Sequence, residues 1–119
     1  MRLLRVGPAG HERPAALDRA DRLLDLSGVV SEIDGGWLAG DGIDAARAAI
    51  ESGELAELDP SIRIGPPVAR PGKVVCIGLN YSDHAAETGA TAPTEPVLFL
   101  KTPDTVVGPY DEVLVPRSP

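Results

Sequence analysis

His84 and Glu87 stand three residues apart in the stretch Gly78-Leu79-Asn80-Tyr81-Ser82-Asp83-His84-Ala85-Ala86-Glu87-Thr88-Gly89. On a helix that spacing places both side chains on one face, close enough to interact. A carboxylate beside an imidazole raises its basicity and fixes which ring nitrogen carries the proton. That combination suits a general base that activates water near neutral pH. Two solvated neighbours on a surface helix would share the same spacing. Position adds weight to the chemical reading, because polar residues just past a buried strand often line a site. Ser82 or Asp83 is an expected N-cap and Gly89 a C-terminal stop. The helix between them has about two turns, too short to be stable alone in water. The expectation is therefore a strand, a polar turn, and a short helix that orders and disorders.

Two continuous apolar runs flank that segment. Val74 to Ile77 and Val97 to Leu100 read as strands buried on both faces. Asp111 to Val115 alternates weakly and reads as a third strand, with Pro116 as its stop. Pro71-Gly72 marks the clearest boundary in the chain. Before it, Leu3 to Val6 is an expected strand that turns at Gly7-Pro8-Ala9-Gly10 and returns through Ala15 to Leu17. Asp18 to Arg22 is an expected turn before Leu23-Leu24-Asp25-Leu26, which completes a small meander. A helix is predicted within Asp41 to Leu58, with Asp41 as a side-chain cap and Asp44 near the positive end of the dipole. Ile43, Ala46 and Ile50 give it an apolar face, and Ser52-Gly53 interrupts it. Glu32-Ile33-Asp34, followed by Gly35-Gly36, reads as a turn. The fold class expected is α+β and strand-rich, with a small domain over 1–70 and a second domain starting at 71 and running to 119.

Composition narrows the function. Thirteen Gly and twelve Pro among 119 residues imply many turns and short elements. A hydrophobic fraction of 43% supports a core, and an aromatic fraction of 3% makes that core Val, Ile, Leu and Ala. The net charge of -7 repels phosphate backbones and anionic lipid, so nucleic-acid and membrane partners are not expected. Cys76, the single cysteine, excludes a disulfide within the chain and reads as a small hydrophobe in a strand. No apolar run approaches the ~20 residues of a membrane-spanning helix, and no signal-peptide centre is visible, so a cytoplasmic protein is expected.

The run Lys73-Val-Val-Cys-Ile-Gly-Leu-Asn-Tyr-Ser-Asp-His-Ala-Ala-Glu87, with Glu95-Pro-Val-Leu-Phe-Leu-Lys101 and Val107-Gly108-Pro109, resembles the start of the catalytic domain of the fumarylacetoacetate hydrolase family. It is most similar to bacterial members acting on 2,4-diketo-3-deoxy sugar acids or labelled ureidoglycolate lyases. The phrases Leu3-Leu4-Arg5-Val6-Gly7 and Asp25-Leu26-Ser27 resemble the small leading domain of that subgroup. The resemblance implies the opening of a β-roll after residue 71. It implies that His84 and Glu87 activate water on a lid-like segment, and that Asn80, Tyr81 and Lys101 lie near substrate. Bland alternatives stay open for these three: a turn former, a packing ring, and a surface lysine closing a strand. The implied reaction is cleavage of a carbon-carbon bond in a 2,4-diketo acid to give pyruvate and a second acid. Oxaloacetate decarboxylation, keto-acid hydration or isomerisation, and ureidoglycolate cleavage are the alternatives within the family. A short non-catalytic binding protein is the alternative outside it.

The family resemblance further implies Mg²⁺ or Mn²⁺ and a homodimer in the complete protein, with a small 2-oxo or 2,4-diketo acid as partner. The implied metal ligands, a Glu-x-Glu pair and a later aspartate, are expected beyond residue 119, so no metal is expected on this chain alone. Glu32 and Asp34 form the nearest local pattern, and a turn explains them better. Asp111-Glu112 is adjacent rather than alternating, which on a strand would point the two carboxylates apart. Taken alone, the chain is expected to be inactive and to expose the edges of its two buried strands.

Overall fold

Alternating burial, tight turns and one amphipathic helix organise the first part of the chain. The computed structural model describes residues 1–89, 91 and 93–115. Strands β1 (Arg2–Val6), β2 (Arg13–Leu17) and β3 (Leu23–Asp25) form an antiparallel meander in the order β1-β2-β3. Leu4 faces Ala15 across the first pair, and Ala16 faces Leu24 across the second. The turns use the residues their geometry needs. Gly7 and Gly10 have φ of 123° and 78°, where a side chain would be strained. Asp18 accepts hydrogen bonds from the Ala20 and Arg22 amides and so closes the second turn with its own side chain. The expected meander is thus present.

Helix α1 (Gly35–Ala39) was not expected from sequence. Asp34 caps it by accepting from the Trp37 amide at 3.0 Å. Two glycines at its start hid this helix, since glycine disfavours helical backbone. Helix α2 (Gly42–Ser52) matches expectation in place and ends at Gly53, whose φ is 75°. Its expected cap is corrected. Asp41 occupies the cap position but its side chain makes no capping bond. Its backbone, at φ -84° and ψ 14°, is outside the extended region from which a cap side chain reaches back. Asp44 lies in the first turn, as expected, and pairs with Arg47 at 2.6 Å on the solvent side. The core gathers Ala16, Leu26, Val30, Ile33 and Ala46, with Leu3, Trp37, Ile50 and Leu55 packed around them. Aliphatic residues dominate it, and the lone tryptophan closes its margin. Gly42 makes that closure possible, because a Cβ there would meet the indole at 2.3 Å.

The chain separates into two compact units, residues 1–70 with 106–119 and residues 71–105. In the first, Ile64 forms an antiparallel bridge with Val6, and the Gly65 amide donates to the Arg5 carbonyl at 2.8 Å. In the second, β4 (Val74–Gly78) and β5 (Val97–Lys101) pair antiparallel around α3 (Ser82–Glu87), and a 3-10 turn (Pro103–Thr105) follows.

Both strands of the second unit are present, but they are not buried on both faces. β4 alternates between half-buried and exposed residues, and β5 is exposed throughout. A two-stranded ribbon with one short helix has too little surface to cover an apolar strand on two sides. Cys76 is half-buried on β4. Asp111 to Val115 is not a strand: it pairs with no neighbour among the described residues, and Val113, Leu114 and Val115 are exposed. Pro116, its expected stop, lies outside the described residues. The arrangement is α+β with two small sheets, as expected. Among the described residues, no helix is long and apolar enough to cross a membrane.

Candidate active site

A sharp backbone reversal places the polar residues after β4. Leu79 has φ of 50°, a left-handed conformation that costs a branched side chain energy. The turn residue expected in that conformation was Asn80, whose short polar side chain tolerates it better. Leu79 follows the end of β4 at Gly78, and Asn80 and Tyr81 lead from it into α3. Tyr81 is extended, with φ -115° and ψ 132°, and its carbonyl accepts from the Ala85 amide at 3.2 Å to start α3. Neither Ser82 nor Asp83 is the cap. Tyr81 holds that position without a side-chain capping bond, and the Asp83 carboxylate accepts from the His84 amide at 2.9 Å. Gly89, with φ of 68°, follows the helix as its stop.

Helix α3 brings His84 and Glu87 together. His84 Nδ1 lies 3.9 Å from Glu87 Oε2. That is an ion-pair distance when the imidazole is protonated, and it is too long for a hydrogen bond. Both side chains are well exposed, at 57% and 77%. Water therefore reaches both groups freely. Ala85, on the same helix, is buried and anchors it.

A groove of about 380 Å³ begins where the helix begins. Leu79, Asn80 and Ser82 line one side, and Thr94, Glu95 and Pro96 line the other. Its size falls in the range of small-molecule sites, ~300 to 1,000 Å³. Glu95 was given no role from sequence. Its only signal there is its place just before β5.

The expected site residues separate in space. Asn80 lines the groove, and His84 and Glu87 meet on α3. Tyr81 projects its ring largely into solvent. Lys101 lies elsewhere: the register pairs it with Val74, whereas Gly78 pairs with Val97. Four residues of strand, at about 3.3 Å each, separate the two ends of the ribbon by roughly 13 Å. Lys101 is therefore not gathered with the dyad within this unit.

Four carboxylates of the first unit have other partners. Arg5 Nε and Nη2 fork onto Glu32 at 2.7 and 3.0 Å, and this pair holds the Glu32 carboxyl below its ordinary range. Asp34 caps α1. Asp111 receives a fork from Arg63 at 2.8 and 2.6 Å, which lowers its carboxyl likewise. Glu12 is pushed up by burial, but hydrogen bonds from Arg63 and from backbone amides outweigh it and lower the group overall. Among the described residues, no three His, Cys, Asp or Glu side chains gather as a metal site.

Residues 73–118 match the family described as Fumarylacetoacetate (FAA) hydrolase C-terminal. A Burkholderia cenocepacia (strain HI2424) protein, whose name proposes a hydrolase, is 44% identical over 118 residues. A Burkholderia multivorans protein, similarly named, is 43% identical over 118 residues. Each alignment covers 99% of this chain and 42% of the relative, so the chain spans about two fifths of the length of these relatives. The crystal structure of a Mycobacterium smegmatis protein, titled as a candidate HpcE protein, is similar with a TM-score of 0.64 and 29% identity. It covers 98% of this chain and 41% of that one.

Proposed function

From a chain that carries part of a fumarylacetoacetate hydrolase family protein, we propose a hydrolase that cleaves a carbon-carbon bond in 2,4-diketo acids. The observation that supports it is the approach of His84 to Glu87 on α3, a helix whose first residue, Ser82, lines a groove together with Asn80. In this reading His84 takes a proton from water as the water oxygen attacks the distal carbonyl. Glu87 stabilises the imidazolium that results. The tetrahedral adduct then collapses. The carbon-carbon bond breaks, its electron pair leaves on the pyruvate fragment, and a proton completes pyruvate. The other product is a carboxylic acid. Asn80 is proposed to orient the substrate from the groove wall, with Tyr81 beside it.

The chemistry of the substrate suits a hard divalent ion such as Mg²⁺ or Mn²⁺, which would stabilise negative charge on the 2-oxo acid. The described residues do not supply its ligands. Glu32, Asp34 and Asp111 are each engaged by an arginine or a backbone amide. The protein is proposed to act in the cytoplasm, as a homodimer, on a soluble small acid.

The test is pyruvate release from a panel of acylpyruvates by the protein carrying this chain at the full length of its relatives. His84→Ala is expected to lower kcat by ~10² or more, the usual contribution of a general base. Glu87→Gln should lower it by a smaller factor. Unchanged turnover in His84→Ala would exclude this dyad as the water-activating pair.

A further inference from the structure

Five charged residues of the first unit form one connected chain. Glu32 pairs with Arg5, Arg5 approaches Glu12 at 3.7 Å, Glu12 pairs with Arg63 at 2.8 Å, and Arg63 pairs with Asp111. Arg5 and Glu12 are almost fully buried, at 8% and 6% side-chain exposure. The far end of the chain, Asp111, lies forty-eight residues from Arg63 in sequence. The polypeptide leaves this unit after Arg70 and returns to it at Val106. Asp111 is thus the first charged side chain after that return for which a partner in the unit is seen.

Two independent features seat the returning segment. The first is the fork from Arg63. Its Nη1 also donates to the Gly7 carbonyl at 2.9 Å and to Glu12 at 2.8 Å, so the guanidinium has partners other than Asp111. The second is backbone approach. A Cβ on Gly108 would meet the Ile64 carbonyl oxygen at 2.2 Å and the Gly65 Cα at 3.1 Å, so only glycine fits. Asp111 links the two features. Its carboxylate accepts from the Gly108 amide at 2.7 Å, and its own amide donates to the Gly108 carbonyl at 3.2 Å. One side chain therefore closes the 108–111 turn and fastens it to Arg63. The platform beneath is firm, because Gly7 and Gly65 hydrogen-bond Arg63 and Arg5 across to β1.

We propose that Arg63 and Asp111 form a latch that holds the returning segment, 106–111, onto the edge of the first unit and opens without unfolding that unit's core. The segment contributes no residue to either buried cluster. It is held by charge, one turn and one close backbone contact. Such a segment opens locally at lower cost than the core, which rests on Leu26, Ile33, Val6 and Val30. Because Arg63 and Asp111 keep some access to solvent, at 30% and 21%, salt also weakens the latch.

Native-state amide hydrogen exchange on the 119-residue chain tests this. In the unsubstituted chain, the Gly108 and Asp111 amides should exchange faster than those of Ala16 and Val30. Raising salt from 50 mM to 1 M should speed Gly108 exchange while leaving the core amides unchanged. Asp111→Ala removes both the fork and the Gly108 acceptor, and should accelerate Gly108 exchange tenfold or more. The core amides should hold within about twofold. Gly108→Ala keeps the charges but blocks the seat, and should release the same segment. Equal acceleration of core and segment in either variant would show one cooperative unit and overturn the latch. Unchanged Gly108 exchange in Asp111→Ala would do the same, because the carboxylate would then not be what holds the segment.

Discussion

Arg5→Met separates a structural charge from an ornamental one. Arg5 sits on β1 with its side chain 8% exposed. It forks onto Glu32 at 2.7 and 3.0 Å and reaches the Pro66 carbonyl at 3.3 Å. Methionine keeps the apolar stem and removes the charge. Breaking a buried pair from one side costs ~3 to 5 kcal/mol, because the remaining charge stays desolvated. Here Glu32 is 26% exposed and recovers some water, and Glu12 keeps Arg63. The loss therefore falls at the low end, ~3 kcal/mol. A unit of roughly 80 residues has a total stability of ~4 to 12 kcal/mol, so the change is large. Urea denaturation followed by Trp37 fluorescence should show the midpoint falling by about 2 M, for a slope near 1.5 kcal/mol/M. Converting Glu32 to methionine as well should recover part of the loss, since no unpaired carboxylate then remains at that position. A loss below ~1 kcal/mol in the single variant is the behaviour of a surface pair. It would refute the claim that this network fixes the first unit.

Two further outcomes concern the same unit. Leu26→Ala empties the centre of a core in which Ala16 and Ala46 are already small, and should cost ~2 to 5 kcal/mol by thermal or chemical denaturation; a loss under 1 kcal/mol would place the core elsewhere. Acid should weaken this unit in a defined direction. The carboxyls of Glu32 and Asp111, held down by Arg5 and Arg63, take up protons less readily folded than unfolded, where their ordinary values are 4.5 and 3.8. Their contribution is complete above about pH 4.5 and is lost as pH falls through the lower folded values. Denaturation midpoints measured from pH 7 to pH 3 should stay level and then decline below pH 4.5, and a level profile to pH 3 would contradict the pairing.

Local chemistry was legible where a residue acts on its neighbours. The meander follows from glycines at Gly7 and Gly10 and from Asp18, whose side chain closes its own turn. The interruption expected at Ser52-Gly53 is where α2 ends. Expectations failed in two ways, through local backbone conformation and through partners distant in sequence. Asp41 lost its capping role because of its backbone conformation, and α1 was obscured by its leading glycines. Val113 to Val115 has the composition of a strand, yet strand formation requires a second strand that composition does not supply. The burial expected of β4 and β5 fails for the same reason. An apolar run encodes the capacity to be covered, and its cover must come from other residues.

The same distinction governs the candidate site. Sequence spacing alone could not say which acids were free for chemistry. Glu32 and Asp34 alternate as metal ligands often do, and Asp111 is followed by a second acid. Arg5, Arg63 and the Trp37 amide, none of them readable as partners from spacing, take up three of these carboxylates. Each is satisfied, and binding a cation there would require giving up a charge-assisted bond. His84 and Glu87 differ in kind. Their contact with one another is long, and both remain open to water. A base that is to take a proton from a water molecule needs that access, and a fully bonded imidazole would lack it. The acids named in the first unit are thus engaged by arginines or a backbone amide, whereas the pair proposed to react, on α3, is open to water.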